Sequence, residues 1–205
     1  MVNLKAKTNY ITPEQFGSII KYIPELKIRK WKDIDVEYAF KIAYYTASRL
    51  GGDVIDRTKE DFDLDNQEMY IKKSKTSKNE YVPIAPLFIP ELRLYLQTKA
   101  PLEPILKDCD PQNPYKWLIK IGDALRISAL TTSQEITGEK TKLHIFRKSM
   151  LKDMYYGTFN ETANLGQVQS QARHRNPVTT GKYLRLDSEG AKEFWNENKE
   201  KGFEY

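Results

Sequence analysis

Only two histidines occur in the 205-residue chain, and each stands at a fixed distance from a residue with which it can do phosphate chemistry. His144 precedes Arg147 by three positions in Leu143-His144-Ile145-Phe146-Arg147. On a helix that spacing puts both side chains on one face, with Cβ atoms about 5–6 Å apart. His174 precedes Tyr183 by nine positions, and Asn176-Pro177 between them is a helix-start signal, so a turn can fold the tyrosine back toward the histidine. A phosphodiester resists nucleophiles because its non-bridging oxygens share a negative charge. A guanidinium ion counters that charge at any working pH and forks onto two oxygens at once. A tyrosine hydroxyl, with a reference pKa of about 10, becomes a useful nucleophile only when a neighbour takes its proton or nearby cations favour the phenolate. The stretch from His144 to Tyr183 therefore has the makings of a phosphotransfer site for DNA.

Bulk properties narrow the setting. Hydrophobic residues make up 40% and charged residues 30%, as in a globular protein, and no apolar run reaches the roughly 20 residues a membrane span needs. The N-terminal Met-Val-Asn-Leu-Lys-Ala-Lys leads into no signal-peptide core, and an intracellular, cytoplasmic protein is expected. A single cysteine, Cys109, cannot form an internal disulfide, and two distant histidines offer no Cys/His metal cluster, so no metal or other cofactor is expected. A net charge of +5 permits a nucleic-acid partner without requiring one.

The elements that must position these residues can be read in order. Thr12-Pro13-Glu14-Gln15 opens a helix with a capping box, and Pro24 ends it near Ile23. After the basic patch Lys27 to Lys32, a helix is expected from Ile34 to Leu50, with Val36, Phe40, Ala43, Ala47 and Leu50 as its buried stripe and Gly51-Gly52 as its end. Arg49 then lies in its last turn, where the helix dipole favours a cation. Glu68 to Lys73 and Glu80 to Ala85 form a hairpin around the polar segment Ser74 to Asn79. Helices follow at Leu87 to Thr98 and Tyr115 to Leu130, separated by a proline-marked loop. Thr131 to Lys142 is polar and loop-like. From Leu143 a helix turns Leu143, Phe146, Met150 and Met154 inward, leaving His144 and Arg147 along its edge toward a cleft. Asn160 is the expected cap of the next helix, and Asn176-Pro177 starts a last short one bearing Tyr183. Asp187 to Tyr205 is a charged tail with one apolar cluster, Phe194-Trp195. The fold class is mainly α with a small antiparallel sheet.

In this order of residue types the chain resembles the tyrosine recombinase, or phage-type integrase, family over roughly residues 10 to 185. The family pattern is an early arginine, a hairpin lysine, His-x-x-Arg, a His or Trp, and a terminal tyrosine. The context Tyr45-Thr46-Ala47-Ser48-Arg49-Leu50 is similar to the family's first arginine block, so the resemblance assigns Arg49 to the site. The family usually has an acidic residue three positions later. Gly52 stands there, and a one-residue insertion near Gly51-Gly52 gives the acidic role to Asp53. Lys75 matches the hairpin lysine, with Lys73 and Lys78 as alternatives because register is not fixed by sequence. Ala124 to Leu130 imitates the first arginine block in letters, but it follows the hairpin, so Arg126 is assigned to surface or packing.

The resemblance implies the catalytic-domain fold, residues 1–185, followed by a tail, 186–205, that packs in cis or on a neighbouring protomer. Few residues precede Thr12, where the family carries an N-terminal core-binding domain, so either a catalytic fragment of a longer integrase or a minimal single-domain version is expected, and for a fragment weak, salt-sensitive DNA binding. The resemblance also implies a site-specific recombinase or integrase acting on double-stranded DNA without metal or ATP, tetrameric on DNA and monomeric or weakly associated when free. Arg49 and Arg147 would hold the phosphate, His144 would accept the tyrosine's proton, His174 would bond the phosphate, Lys75 would protonate the leaving 5′-hydroxyl, and Tyr183 would carry the DNA as a 3′-phosphotyrosyl ester. Tyr155 and Tyr156 compete as nucleophiles, but they follow His-x-x-Arg on the same helix and lack a second histidine upstream. Nicking and resealing like a type IB topoisomerase, and a silent DNA-binding regulator, are the alternatives. Richness in Lys, Ile and Tyr points to an archaeal virus or plasmid.

Overall fold

Thr12 caps the first helix as its sequence signal requires. Its hydroxyl accepts from Gln15 N at 3.3 Å, and Gln15 Oε1 accepts from Thr12 N at 3.0 Å. The computed structural model describes residues 10–72, 80–131, 144–158, 162–174 and 176–184, and of Lys182 and Tyr183 only the backbone. Lys73, Lys75 and Lys78, the loop 132–143 with Leu143, Asn160, and the tail with Phe194 and Trp195 lie outside the described residues. The described residues fall into two compact units that divide after Met150.

In the first unit, α1 (Pro13–Tyr22) and α2 (Asp33–Tyr45) precede a three-stranded antiparallel sheet, β1 (Phe62–Asp63), β2 (Glu68–Ile71) and β3 (Glu80–Pro83), in the order β1-β2-β3. The strand β1 was not expected; two residues are too few to show alternation, and it is recognisable only through its pairing of Phe62 with Met69. Period two then sorts the hairpin: Met69, Ile71 and Val82 are buried, while the paired Tyr70 and Tyr81 stand on the other face. Helices α3 (Ile89–Gln97), α4 (Gln112–Leu125) and α5 (Ser128–Thr131) complete the layer. The expected continuous helix from Tyr115 to Leu130 breaks at Arg126, which is exposed and left-handed (φ 55°). The break lets α5 fold onto α4 so closely that a Cβ at Gly122 would stand 2.5 Å from Leu130 Cβ.

Two features of this unit set up the site. The stripe Val36, Phe40, Ala43, Ala47 and Leu50 is fully buried, yet α2 ends at Tyr45 and not at Gly51-Gly52. Thr46 Oγ1 turns back onto Ile42 O at 2.6 Å, Ala47 takes a left-handed conformation (φ 49°), and Arg49 is extended (φ −81°, ψ 122°) ahead of a single π-type turn, Leu50–Val54. Left-handed backbone is costly for a residue with a Cβ, so Ala47 is held there by its surroundings. The loop behind supplies support, because Ile105 N and Leu106 N donate to Arg57 O and Ile55 O at 2.7 and 3.0 Å.

The second feature is α6 (Ile145–Tyr156), within which the division between units falls. Its first turn is bolted to the first unit. Phe146 is fully buried with ring centroids 5.5 Å from Phe16 and 5.1 Å from Phe40. Ser149 Oγ accepts from Ile11 N at 2.9 Å while donating to Ile145 O at 2.8 Å. The helix starts at Ile145, so His144 stands just before it and not within it.

The second unit contains the rest of α6, then α7 (Leu165–Ala172) and α8 (Pro177–Leu184). The cap of α7 is Asn164, through a reciprocal bond with Gln167, and not Asn160. Asn164 has Gln167 three residues later to complete a capping box, whereas Asn160 has Ala163 there. Arg173 ends α7 in a left-handed turn (φ 54°), and Asn176 Oδ1 accepts from Val178 N at 2.9 Å to start α8 where Asn-Pro predicted. Because Phe146, fully buried beside the buried Ile145, packs the stretch between His144 and Arg147 into the core, Phe146→Ala is expected to cost about 3–5 kcal/mol of unfolding free energy, measured by urea denaturation.

Candidate active site

Asp53 is the fixed point of the first unit's site. It is 2% exposed, and its carboxylate receives Arg49 three times: Nη2 on Oδ1 at 3.1 Å, Nε on Oδ2 at 3.2 Å and the backbone N–H on Oδ2 at 3.0 Å. This is a bidentate fork with a main-chain bond added. The Leu50–Val54 turn makes it possible, since it brings position 53 back over position 49, with Asp53 N on Arg49 O at 2.9 Å. Arg49 keeps 43% of its side chain exposed, so the buried carboxylate aims the guanidinium outward. The last-turn dipole role expected for Arg49 is thereby replaced by an ion pair, and Asp53, chosen over Gly52 by allowing one inserted residue, is its partner.

Arg147 lies on α6 and is 6% exposed, with Lys148 beside it at 8%. Both bear on His144. Burial, followed by the positive charges of Arg147, Arg49 and Lys148, pushes the His144 imidazole down to about 4, and Asp53 opposes this only in part. His144 is therefore a neutral imidazole at neutral pH, able to accept a proton, inside a ring of cations. Lys148 was not among the residues expected from sequence, and since His144 stands before the helix, helical spacing did not point to it.

His174 and Tyr183 belong to the second unit. His174 is half-buried and its Nδ1 lies 3.0 Å from Oγ1 of the fully buried Thr180 on α8, the helix whose backbone carries Tyr183. Nothing in the spacing of His174 and Thr180 announced that contact. Tyr156 is 50% exposed and donates to Leu184 O at 3.3 Å, and Tyr155 packs edge-on against it with ring centroids 5.2 Å apart.

A cavity of about 660 Å³ lies elsewhere, lined by Glu60, Asp61, Asp63, Asp65, Tyr70 and Tyr81 among others. Its four carboxylates outnumber Lys59 and Arg93, which disfavours a phosphate, and none of the described candidate residues lines it. Among the described residues no three His, Cys, Asp or Glu side chains gather as a metal site, and no helix is long and apolar enough to cross a membrane.

The sequence profile described as the phage integrase family matches residues 9–189. The chain belongs to that family of tyrosine recombinases. No curated protein matches the chain. Among solved structures it is similar to XerA recombinase (16% identity, TM-score 0.57, 92% of this chain and 64% of that one). It is also similar to XerH site-specific recombinase bound to difH substrate in a pre-cleavage complex (20% identity, TM-score 0.59, 94% of this chain and 55% of that one). The catalytic domain of bacteriophage HP1 integrase matches with 14% identity and a TM-score of 0.55, over 94% of this chain and 96% of that one. The chain thus spans less than two thirds of the XerA and XerH chains and nearly all of the HP1 catalytic domain. At such identities the likeness is one of fold, and it establishes the mainly helical family fold with its small antiparallel sheet.

Two measurements follow from the geometry. Asp53→Ala strips a partly exposed guanidinium of its buried partner and a backbone N–H of its acceptor, and is expected to destabilise the chain by about 2–3 kcal/mol, read by thermal unfolding. His144 has a folded pKa of about 4, below its ordinary 6.5, so the unfolded chain takes up the proton first as pH falls. Its contribution to stability is complete above pH 6.5 and is lost between there and about 4. An NMR titration is expected to give that midpoint, and His144→Gln to flatten the stability profile across this window.

Proposed function

We propose that the chain is a site-specific DNA recombinase or integrase that breaks and rejoins strands through a covalent bond between Tyr183 and a DNA 3′-phosphate. The convergence of Arg49, Arg147 and Lys148 on a neutral His144, with Asp53 bracing Arg49, is the observation that carries this reading. Such a cluster suits a phosphodiester: cations to neutralise the non-bridging oxygens, and an uncharged base that the same cations keep unprotonated.

In the proposed reaction the phosphate binds Arg49 and Arg147, and the phenol oxygen of Tyr183 attacks phosphorus while its proton passes to His144. The bond from phosphorus to the 5′-oxygen breaks, and the leaving hydroxyl takes a proton from the hairpin lysine, Lys75 or its neighbours Lys73 and Lys78. His174, whose Nδ1 is engaged by Thr180, would contact the phosphate through Nε2. Attack by a second 5′-hydroxyl on the phosphotyrosine reverses these steps and joins a new strand. The ester bond conserves the energy, so strand joining draws on no ATP. Double-stranded DNA is the proposed partner, with a homotetramer assembled on two sites in the cytoplasm of the host cell. An archaeal virus or plasmid as source fits the Lys, Ile and Tyr richness of the sequence.

A suicide DNA substrate, nicked near the cleavage position so that the short product diffuses away, tests this. Wild type is expected to form a covalent adduct whose mass maps to Tyr183, and Tyr183→Phe to form none. An adduct persisting in Tyr183→Phe moves the nucleophile elsewhere. Relaxation of supercoiled DNA without strand exchange favours a nicking and resealing enzyme, and absence of any adduct from wild type favours a DNA-binding regulator.

A further inference from the structure

Helix α8 is held on both sides of the residue proposed as nucleophile. Thr180, three residues before Tyr183, is fully buried and meets His174 Nδ1 at 3.0 Å. Leu184, the next residue after it, is fully buried, and its carbonyl accepts from the Tyr156 hydroxyl at 3.3 Å. The last carbonyls of a helix have no intrahelical donor, so in a buried setting a side chain must supply one. Tyr156 does so from the end of α6, twenty-eight residues away in sequence.

Tyr156 is itself oriented. Its ring packs edge-on against Tyr155 at an interplanar angle of 87°, and Lys152 Nζ lies 5.7 Å from its centroid on the other contact. With half of its surface exposed, the ring is no core anchor. The part of Tyr156 that a phenylalanine could not replace is the hydroxyl.

We propose that Tyr156 is a positioning residue for the recombination reaction, its hydroxyl fixing the end of α8 and so the place from which Tyr183 attacks. The inference rests on the functional reading above. It also gives the family's rival tyrosine a different task, because a phenol that donates to a main-chain carbonyl is holding backbone and not presenting its oxygen to phosphorus. A shift of the nucleophile's backbone of even a fraction of an ångström slows in-line attack without altering the surface that grips DNA.

The test compares wild type, Tyr156→Phe and a chain with para-aminophenylalanine at position 156 on the nicked suicide DNA, recording melting temperature, DNA affinity and the rate of adduct formation. In Tyr156→Phe the rate is expected to fall roughly tenfold, with affinity unchanged and melting within a few degrees of wild type. The amino analogue, which can donate again, is expected to recover most of the rate, and the adduct to remain on Tyr183 throughout. An unchanged rate in Tyr156→Phe overturns the inference and leaves the recombinase reading standing. A lost rate that the amino analogue fails to restore, or that tracks lost DNA affinity, also overturns it. Wild type that forms no adduct overturns the recombinase reading and the inference together.

Discussion

A buried carboxylate that must be neutralised is the constraint on which the site depends. Asp53 has almost no access to water, and a carboxylate desolvated to that degree persists as an anion only when cations and N–H donors meet it. Arg49 meets it with side chain and backbone together. Because the pair closes within a single turn, the guanidinium takes its orientation from a local backbone that the surrounding packing holds in place. The unusual features of this stretch then share one consequence: α2 stops early, Ala47 goes left-handed and a π-type turn follows, and positions 49 and 53 face each other.

The second requirement is that α6 present cations to the same place. A helix whose first turns include buried Arg147, Lys148 and Ser149 has little apolar moment to hold it, so the anchoring falls to Phe146 between Phe16 and Phe40 and to the Ser149 bond to Ile11. α1, which carries Phe16 and follows Ile11, is thereby a structural brace for the His144 and Arg147 segment. Its capping box fixes where that brace begins.

What was legible in the sequence divides along the range of the interactions. The Thr12 capping box, the Asn-Pro helix start and the burial of the stripe from Val36 to Leu50 are local patterns, and each stands where its residues said, whereas the cap of α7 is Asn164 and not the expected Asn160. The end of α2 was misplaced because two glycines advertise a helix end, whereas the left-handed residue is an alanine that tertiary packing forces into place. The α4 break at Arg126 was hidden for the same reason, with no glycine or proline to mark it. Among the proposed site residues, the His144 and Arg147 pair was suggested by spacing and Arg49 by its context. Thr180 and Tyr156 were not, because a side chain meeting a residue on another element leaves no periodic trace.

The depressed basicity of His144 looks at first like a defect in a residue proposed to accept a proton, since a base of pKa about 4 is a weak one. The causes of the depression resolve this. Apart from burial, they are the charges of Arg147, Arg49 and Lys148, the groups on which an anionic phosphate would settle. A bound phosphodiester cancels part of that field and raises the proton affinity of the imidazole toward its ordinary value. Burial, the largest cause, and the same field together favour the neutral imidazole, so in the proposed reaction no proton has to be shed first. In the proposed reaction the cations thus do two things with one charge: together with burial they keep the imidazole neutral, and they make its strength conditional on the bound anion.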